Sequence, residues 1–237
     1  MNTAGPKALV TGGAHRLGRV VVESLAAQGF DVAIHCNRSL NEAESLAAEL
    51  RSAGRDSFVV QADLRLANAG KGLVGAVSAH WDRLDLLVHS AADYEAVAFE
   101  ELTPEKWDQM QALNCRAPAL LTRVFLPLLR NALLPGGGMV LSIVDIAGER
   151  PVPGFAHYCV SKAGLHMLTR ALAVELAPDI RVNGISPGTV LPPENLDEHT
   201  AQAILNSIPQ GRFGGSEDIG KLSAFLALEC PHITGQI

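Results

Sequence analysis

The sequence of 237 residues predicts a single α/β domain in which helices cover both faces of a parallel sheet. Three observations predict this class: short apolar runs alternate with helical segments, several runs are apolar on successive residues, and no linker divides the chain. Apolar residues on both sides of a strand are typical of a sheet with both faces covered. The predicted strands are Ala8–Val10, Val32–Ile34, Phe58–Val60, Leu84–Val88, Met139–Ile143 and Ile180–Ile185.

Helical segments lie between these runs and carry start and stop signals. Gly29 and Gly54 follow the first two segments, and glycine commonly ends a helix. Thr103 and Pro104 form a helix start, because threonine caps the first turn and proline suits its first position. The predicted helices are Leu17–Gln28, Asn41–Ala53, one that begins at Pro104, and Phe155–Ala177, which ends before Pro178. This alternation predicts right-handed crossovers and one doubly wound sheet within a single domain, residues 1–237.

The two ends of the sequence also carry signals. His232–Ile237 has the pattern of a final strand that is cut off as it begins, and a shortened chain and a missing tail both stay open as explanations. Met1–Lys7 contains no apolar signal region, and no stretch approaches the roughly 18 apolar residues of a membrane-spanning helix. We therefore expect a cytoplasmic location.

Composition excludes several classes of partner. The net charge of −6 disfavours nucleic acid and anionic membranes as main partners. The cysteines form no C-x-x-C pair, and no histidines stand at zinc-finger spacing, so we expect no metal site. Reduced thiols are typical of a reducing compartment. The cysteines are Cys36, Cys115, Cys159 and Cys230.

A glycine-rich loop follows the first predicted strand and opens the first helix. It runs from Thr11 to Gly18 and includes Gly12, Arg16 and Leu17. Glycines at such a place let the backbone turn tightly and approach a pyrophosphate, which then lies at the positive end of the helix dipole. Arg16 stands where glycine is commoner, and its guanidinium can reach a phosphate or an anionic edge of a substrate. The loop predicts a dinucleotide site.

The turn after the second strand predicts which dinucleotide binds. An NAD site places an acid here for the adenine ribose hydroxyls, but no acid lies between Ala33 and Leu40. Asn37, Arg38 and Ser39 offer donors for a 2′-phosphate instead, which favours NADP(H). Asp63, after the third strand, has two open interpretations: it reads the adenine amino group, or it caps a helix.

Tyr158 and Lys162 are the strongest candidates for catalysis. They are four residues apart on a predicted helix, so their side chains share one face. A neighbouring ammonium lowers the pKa of a phenol from its usual value near 10, so we expect Tyr158 to exchange a proton near neutral pH.

Along nearly its whole length the chain resembles the short-chain dehydrogenase/reductase family. The resemblance lies in the T-G-x-x-x-x-x-G loop, Asp63-Leu64, Asn114, Tyr158-x-x-x-Lys162 and the segment Arg181 to Gly188. It implies a Rossmann-type fold, with Tyr158 handling the substrate proton, Lys162 binding the nicotinamide ribose and Asn114 holding a water in a proton relay. The further cofactor contacts that it implies are Leu17, Leu64, Ser90, Ala91, Pro187, Gly188 and Val190. It also implies a homodimer or homotetramer that packs through the Phe155–Ala177 helix.

Departures from the family pattern narrow the substrate. The family usually has serine thirteen residues before the tyrosine, whereas this chain has Asp145, and Ser142 falls on the strand. Asp145, Arg16 and the His35–Ser39 turn together resemble the pteridine reductase branch, in which the aspartate meets the amino-pyrimidine edge of a pterin. The segment from Pro187 to Glu194 is similar to the substrate loop of that branch.

The turn His89–Ala92 replaces the N-N-A-G of the family. The resemblance to the pteridine reductase branch implies that Ala92 and Tyr94 contact the substrate, since Tyr94 aligns with an aromatic residue that stacks on the pterin there. A tyrosine in a surface loop stays open as the alternative.

Three functions are therefore weighed. The first is NADPH-dependent reduction of a pterin or dihydrofolate-like C=N bond, with proton delivery by Tyr158 and Asp145. The second is reduction of a ketone such as a 3-oxoacyl thioester, although a carboxylate at position 145 opposes an oxyanion. The third is a non-catalytic NADP-binding sensor, against which the joint presence of Tyr158, Lys162 and Asn114 argues.

Overall fold

The computed structural model describes residues 5–191 and 197–237. Its six strands form one parallel sheet in the order β3-β2-β1-β4-β5-β6, with helices on both faces. The strands are β1 (Lys7–Thr11), β2 (Asp31–Cys36), β3 (Ser57–Gln61), β4 (Leu86–His89), β5 (Gly138–Ile143) and β6 (Ile180–Ile185). The helices are α1 (Arg16–Ala27), α2 (Leu40–Ser52), α3 (Ala69–His80), α4 (Pro104–Gln111), α5 (Ala117–Leu129), α6 (Ala156–Glu175), α7 (Glu198–Ser207) and α8 (Ser216–Leu228).

All six predicted strands and the predicted doubly wound sheet are confirmed. The strand order reverses direction between β1 and β4, which pair from Ala8–Leu86 to Thr11–His89. In such sheets the crevice beyond the carboxyl ends of the strands at this reversal is the usual place for a ligand. Thr103 caps α4 as predicted, because its side chain accepts a hydrogen bond from the backbone of Lys106.

Two apolar cores cover the two faces of the sheet. One lies under α1, α2 and α8, and the other lies under α3, α5 and α6. Among the described residues, no helix has the length and apolar character needed to cross a bilayer.

One predicted strand boundary is wrong in detail. β4 begins at Leu86 and not at Leu84, because the carboxylate of Asp85, which is fully buried, serves other elements. It accepts hydrogen bonds from Lys7 N (2.7 Å), Leu133 N (2.6 Å) and Arg83 Nε (3.2 Å). Asp85 therefore joins β1, β4 and the loop after α5 at the amino edge of the sheet.

The segment His232–Ile237 forms no strand in the structure. Two backbone hydrogen bonds join it to β6, from Gly235 N to Val182 O (2.7 Å) and from Gly184 N to Gln236 O (2.8 Å). The Thr234 hydroxyl takes the bond from Val182 N that a continuing strand would supply. The predicted start of a final strand is thus replaced by a side-chain contact.

Candidate active site

The glycine loop after β1 has a backbone that only glycine permits. Gly12 has φ of 65°, and a Cβ there would lie 2.9 Å from the Cα of Ala91. A Cβ on Gly18 would lie 2.1 Å from the carbonyl oxygen of Gly12. The loop is therefore folded tightly onto the start of α1, which leaves the amino end of that helix open to an anion.

Arg16 explains why glycine is commoner at its position. Its φ of 46° lies in the left-handed region, which a side chain makes costly. A hydrogen bond of 2.6 Å from its Nη2 to the carbonyl oxygen of Leu191 ties the glycine loop to the loop after β6. Arg16 thus lies between the two loops that flank the crevice.

His35 at the end of β2 holds the glycine loop, a role that the sequence did not indicate. Its Nδ1 accepts a hydrogen bond from Gly12 N (3.2 Å), and its carbonyl oxygen accepts one from Gly13 N (3.0 Å). A backbone N–H can only donate, so Nε2 carries the ring proton and donates to Ala62 O (3.1 Å). Burial lowers the pKa of His35 to about 4, which keeps the ring neutral.

Thr11 joins β1 to the turn after β4. Its hydroxyl oxygen accepts hydrogen bonds from Ser90 N (3.0 Å) and Ala91 N (3.1 Å) and donates to Val88 O (3.2 Å). The turn that replaces the N-N-A-G of the family is therefore held by a hydroxyl of the neighbouring strand. Burial also lowers the pKa of His89, which begins this turn, to about 3.

A cleft of about 250 Å³ opens beside the glycine loop. Arg38 is exposed at its rim, and no described acid lies within ion-pair distance of it. Ser39 precedes α2, and its side chain makes no capping bond, so its hydroxyl is available. The cleft is lined by Gly12, Ala14, His15, Cys36, Asn37, Arg38, Ser39, Arg65 and Asp93.

Arg65 and Asp93 form an ion pair at this cleft that the sequence did not indicate. Arg65 also pairs with Asp63 at 3.4 Å, and the carboxylate of Asp63 accepts a hydrogen bond from Arg65 N (3.0 Å). The helix after β3 begins only at Ala69, so Asp63 does not cap it. Of the two interpretations of Asp63, adenine recognition alone stays open. Leu64 beside it is buried in the core under α3.

Tyr158, Asp145 and Lys162 come together beyond the end of β5. The phenol of Tyr158 donates a hydrogen bond of 2.6 Å to Oδ2 of Asp145, whose Oδ1 accepts one from Ala147 N (2.7 Å). Lys162 donates to Ile143 O (3.0 Å), and its Nζ lies 5.7 Å from the centre of the Tyr158 ring. The carboxylate of Asp145 is therefore hydrogen-bonded directly to the candidate proton donor, Tyr158.

The expected pKa shift of Tyr158 is wrong in direction. Burial raises the pKa of this phenol well above its usual value, and the hydrogen bond and negative charge of Asp145 raise it further. Burial also lowers the pKa of Lys162 to about 8, so its ammonium stays largely protonated at pH 7, but burial and Asp145 outweigh its effect on the phenol. Tyr158 is thus held as a protonated phenol, the form that can give a proton away.

Three aromatic rings form one wall beside this pair. The ring of Tyr94 stacks on Phe155, with centroids 4.4 Å apart and planes 19° apart. It meets the ring of Tyr158 edge-on, at 4.9 Å and 85°. Tyr94 is 62% exposed, so ring surface remains open to solvent beside the reacting phenol. The sequence indicated Tyr94 here but not Phe155.

Asn114 lies in a π-helical segment, Ala112–Arg116, between α4 and α5. Its amide donates to Asp93 O (3.0 Å) and Ser161 Oγ (3.1 Å) and accepts a hydrogen bond from Asp93 N (2.9 Å). The side chain thereby holds the turn that carries Asp93 and Tyr94. The water relay implied by the family resemblance stays a prediction.

The loop after β6 reaches the same edge of the sheet. Pro187 is buried and Gly188 is exposed, and the side chain of Val190 packs against the core under α1. Residues 192–194 of the predicted substrate loop lie outside the described residues. Of the other predicted contacts, Leu17 packs against the same core, and Ala92 is exposed in the turn after β4.

Every element of this site lies at the carboxyl edge of one parallel sheet. The glycine loop follows β1, the Arg38 turn follows β2, and Asp145 follows β5, with Tyr158 and Lys162 on the next helix. This arrangement defines the class of α/β enzymes that bind a dinucleotide at the switch point of the sheet.

The chain belongs to the short chain dehydrogenase family, whose pattern it matches over residues 6–203. It is therefore an oxidoreductase of that type.

Both solved structures and sequence relatives support the assignment. The FolM alternative dihydrofolate reductase 1 from Brucella canis, crystallised with NADP, is 37% identical, with a TM-score of 0.88 over 98% of this chain and 91% of that chain. The putative ketoacyl reductase 2 of granaticin polyketide synthase from Streptomyces violaceoruber is 33% identical over 98% of this chain and 93% of its own length. The 3-oxoacyl-[acyl-carrier-protein] reductase FabG from Staphylococcus aureus is 31% identical over 97% and 94%.

Proposed function

We propose that this protein reduces a pterin or dihydrofolate-like C=N bond with NADPH. The observation that carries the proposal is the hydrogen bond of 2.6 Å between Tyr158 and Asp145, beside the exposed ring of Tyr94. The site thus contains a proton donor (Tyr158), an anionic hydrogen-bond acceptor (Asp145) and an aromatic stacking surface (Tyr94). Binding and reduction of a flat nitrogen heterocycle need all three.

The residues of the cleft fit NADP(H). The glycine loop is a cradle that a Cβ would fill, and the amino end of α1 beside it would hold a pyrophosphate. Arg38 and Ser39 offer a charged and a neutral donor for the 2′-phosphate, and β2 ends without an acid. NADPH, when bound, supplies the hydride. The structure of Brucella canis FolM contains NADP. The structure of a blue fluorescent protein from a metagenomic library, which is 28% identical to this chain with a TM-score of 0.90, contains NADPH.

Tyr158 supplies the proton that accompanies the hydride. The carbon of the C=N bond takes the hydride, and the nitrogen takes the proton from the phenol of Tyr158. The raised pKa keeps that proton on the phenol until a more basic atom is presented. The alignment of Tyr158 then depends on Asp145, to which it is hydrogen-bonded.

Asp145 supplies recognition. Each carboxylate oxygen has a second lone pair beyond the bonds to Tyr158 and Ala147. These lone pairs can accept hydrogen bonds from an amino group and the adjacent ring N–H of a pterin, a match that serine cannot make. The exposed part of the Tyr94 ring offers stacking for the flat substrate, worth about 0.5–1.5 kcal/mol beyond burial.

Reduction of a ketone is the second candidate, and two relatives favour it. The Staphylococcus aureus and Streptomyces violaceoruber proteins are named as 3-oxoacyl and ketoacyl reductases. Asp145 opposes this candidate, because a carboxylate repels the oxyanion that develops on a ketone oxygen. A non-catalytic sensor is disfavoured because Tyr158 is hydrogen-bonded to Asp145 and the Nζ of Lys162 lies 5.7 Å from the centre of its ring.

One experiment separates the two enzymatic candidates. We expect Asp145→Ser to lower kcat/KM for dihydrobiopterin or dihydrofolate by about 10-fold to 150-fold, because a charged hydrogen bond is worth roughly 1.5–3 kcal/mol. The same change should leave acetoacetyl thioester reduction unharmed or improve it. Tyr94→Ala is an independent check of the stacking surface, since it should raise KM for the bicyclic substrates more than for the acyclic thioester. If the unaltered protein reduces only the thioester, or if Asp145→Ser leaves pterin reduction unchanged, the pterin proposal is wrong.

We also propose a homodimer or homotetramer that forms through α6. Val160, Met167 and Val174 stand seven residues apart on this helix and are 49%, 61% and 80% exposed. Such a stripe is typical of an interface between subunits. Sedimentation of the unaltered protein as a monomer at micromolar concentration would contradict this proposal.

A further inference from the structure

Tyr158, Lys162 and His166 form one row along α6, spaced four residues apart. All three are buried, and all three bond to the end of β5 or to the segment that follows it. Lys162 donates to Ile143 O (3.0 Å), and the Nε2 of His166 lies 3.0 Å from Asp145 O. Tyr158 donates to the side chain of the same Asp145. One face of the helix therefore holds both the backbone and the carboxylate of Asp145.

His166 donates to Asp145 in either charge state. Its partner is a carbonyl oxygen, so Nε2 must carry a hydrogen. The other ring nitrogen, Nδ1, lies 3.3 Å from the carboxylate of Glu149, which is 61% exposed. That carboxylate does not compete for Nε2, because it lies on the other side of the ring. The bond to Asp145 is thus retained whether the ring is neutral or charged.

The turn after Asp145 is pressed against the same helix. A Cβ on Gly148 would lie 3.0 Å from the backbone of Lys162 and Ala163 and 3.2 Å from the ring of His166. Within this turn, Ala147 N binds Oδ1 of Asp145. The backbone of Asp145 is therefore fixed by His166 and its Oδ1 by Ala147, which leaves Oδ2 directed at Tyr158.

We propose that His166 is a positioning residue for proton delivery. It acts through Asp145: the bond to the carbonyl oxygen sets where the carboxylate stands, and the carboxylate aligns the phenol of Tyr158. The inference rests on the proposed reduction of a pterin-like substrate, in which Asp145 aligns the phenol of Tyr158 for proton delivery. His166 is buried and contacts Asp145 and Glu149, so its effect on the reaction runs through Asp145.

The test compares two replacements of His166. His166→Leu removes the donor, whereas His166→Gln keeps an N–H that can reach Asp145 O. We expect the leucine variant to lose about tenfold in kcat, the loss typical of one hydrogen bond, with KM for NADPH unchanged. The glutamine variant should recover most of that loss. If the leucine variant does not fold, His166→Asn, whose amide is too short to reach, takes its place.

A double-mutant cycle separates positioning from a structural role. In Asp145→Ser there is no carboxylate to align, so His166→Leu should cost less than twofold in kcat there, against about tenfold in the unaltered protein. The assay uses dihydrobiopterin or dihydrofolate, whichever the unaltered protein reduces faster. A similar factor in both backgrounds, or no loss in either, would overturn the role of His166. Failure of the pterin proposal shows separately, as the absence of pterin turnover in the unaltered protein.

Discussion

The neutral ring of His35 predicts how the cofactor-free protein responds to acid. In the folded protein Nδ1 accepts a hydrogen bond from Gly12 N. Protonation of the ring would put a hydrogen on Nδ1, so that it would face the N–H of Gly12 without accepting from it. Burial lowers the pKa of His35 to about 4, against about 6.5 in an unfolded chain. Below pH 6.5 the unfolded chain therefore binds a proton that the folded protein does not. The free energy of unfolding falls as the pH falls, and this loss levels off below about pH 4.

The size of the effect follows from these two pKa values. At pH 5 the unfolded histidine is almost fully protonated and the folded one is almost fully neutral, so His35 costs about 2 kcal/mol relative to pH 8. His89, whose pKa burial lowers to about 3, adds a similar loss. We expect the unaltered protein to lose about 4 kcal/mol between pH 8 and pH 5 from these two groups.

The assay is urea unfolding of the cofactor-free protein at pH 8, 7, 6 and 5. His35→Asn keeps an acceptor for Gly12 N but cannot titrate, so its loss between pH 8 and pH 5 should be smaller by about 2 kcal/mol. The control is Gln109→Asn, an exposed change on α4 that removes no titrating group, so its pH curve should parallel that of the unaltered protein. Parallel pH curves for the unaltered protein and His35→Asn would refute the reasoning.

Three further predictions concern single side chains. Tyr158→Phe should lower kcat at least 100-fold, since general acid catalysis is worth about 10²–10⁴-fold, while a fluorescence titration should show NADPH binding retained; a residual kcat above about a hundredth contradicts this. Arg38→Asp should abolish or reverse the preference for NADPH over NADH in kcat/KM, and equal affinity of the unaltered protein for both cofactors would rule out the assigned phosphate contact. Asp85→Ala should lower the free energy of unfolding by about 3–5 kcal/mol, because three donors lose a buried acceptor. Asp82→Ala, whose side chain is 88% exposed, should change it by less than about 0.5 kcal/mol, and equal effects of the two variants would contradict the role of Asp85.

The fold could be predicted from the sequence because its signals are local. An apolar run such as Val32–Ile34 indicates a strand covered on both faces, and Gly54 or the Thr103-Pro104 pair indicates a helix boundary. The main exception, His232–Ile237, shows the limit of local pattern. A strand needs a continuous partner, and here the Thr234 side chain takes one of the backbone bonds.

The sequence by itself also determined the chemical inventory of the site: a glycine loop, an Arg38 turn without acid, Tyr158 with Lys162, and an aspartate at position 145. Only the tertiary structure decided how these groups act on one another. Three contacts join residues that are 21 to 28 positions apart, and no periodicity in the sequence indicates them. They are His35 with Gly12, Arg65 with Asp93 and His166 with Asp145. The pKa of Tyr158 shows the physical reason. Spacing on the helix places the ammonium of Lys162 near the phenol of Tyr158. Burial and the carboxylate of Asp145, which follows β5, outweigh the effect of that ammonium on the pKa, and both arise only once the chain has packed.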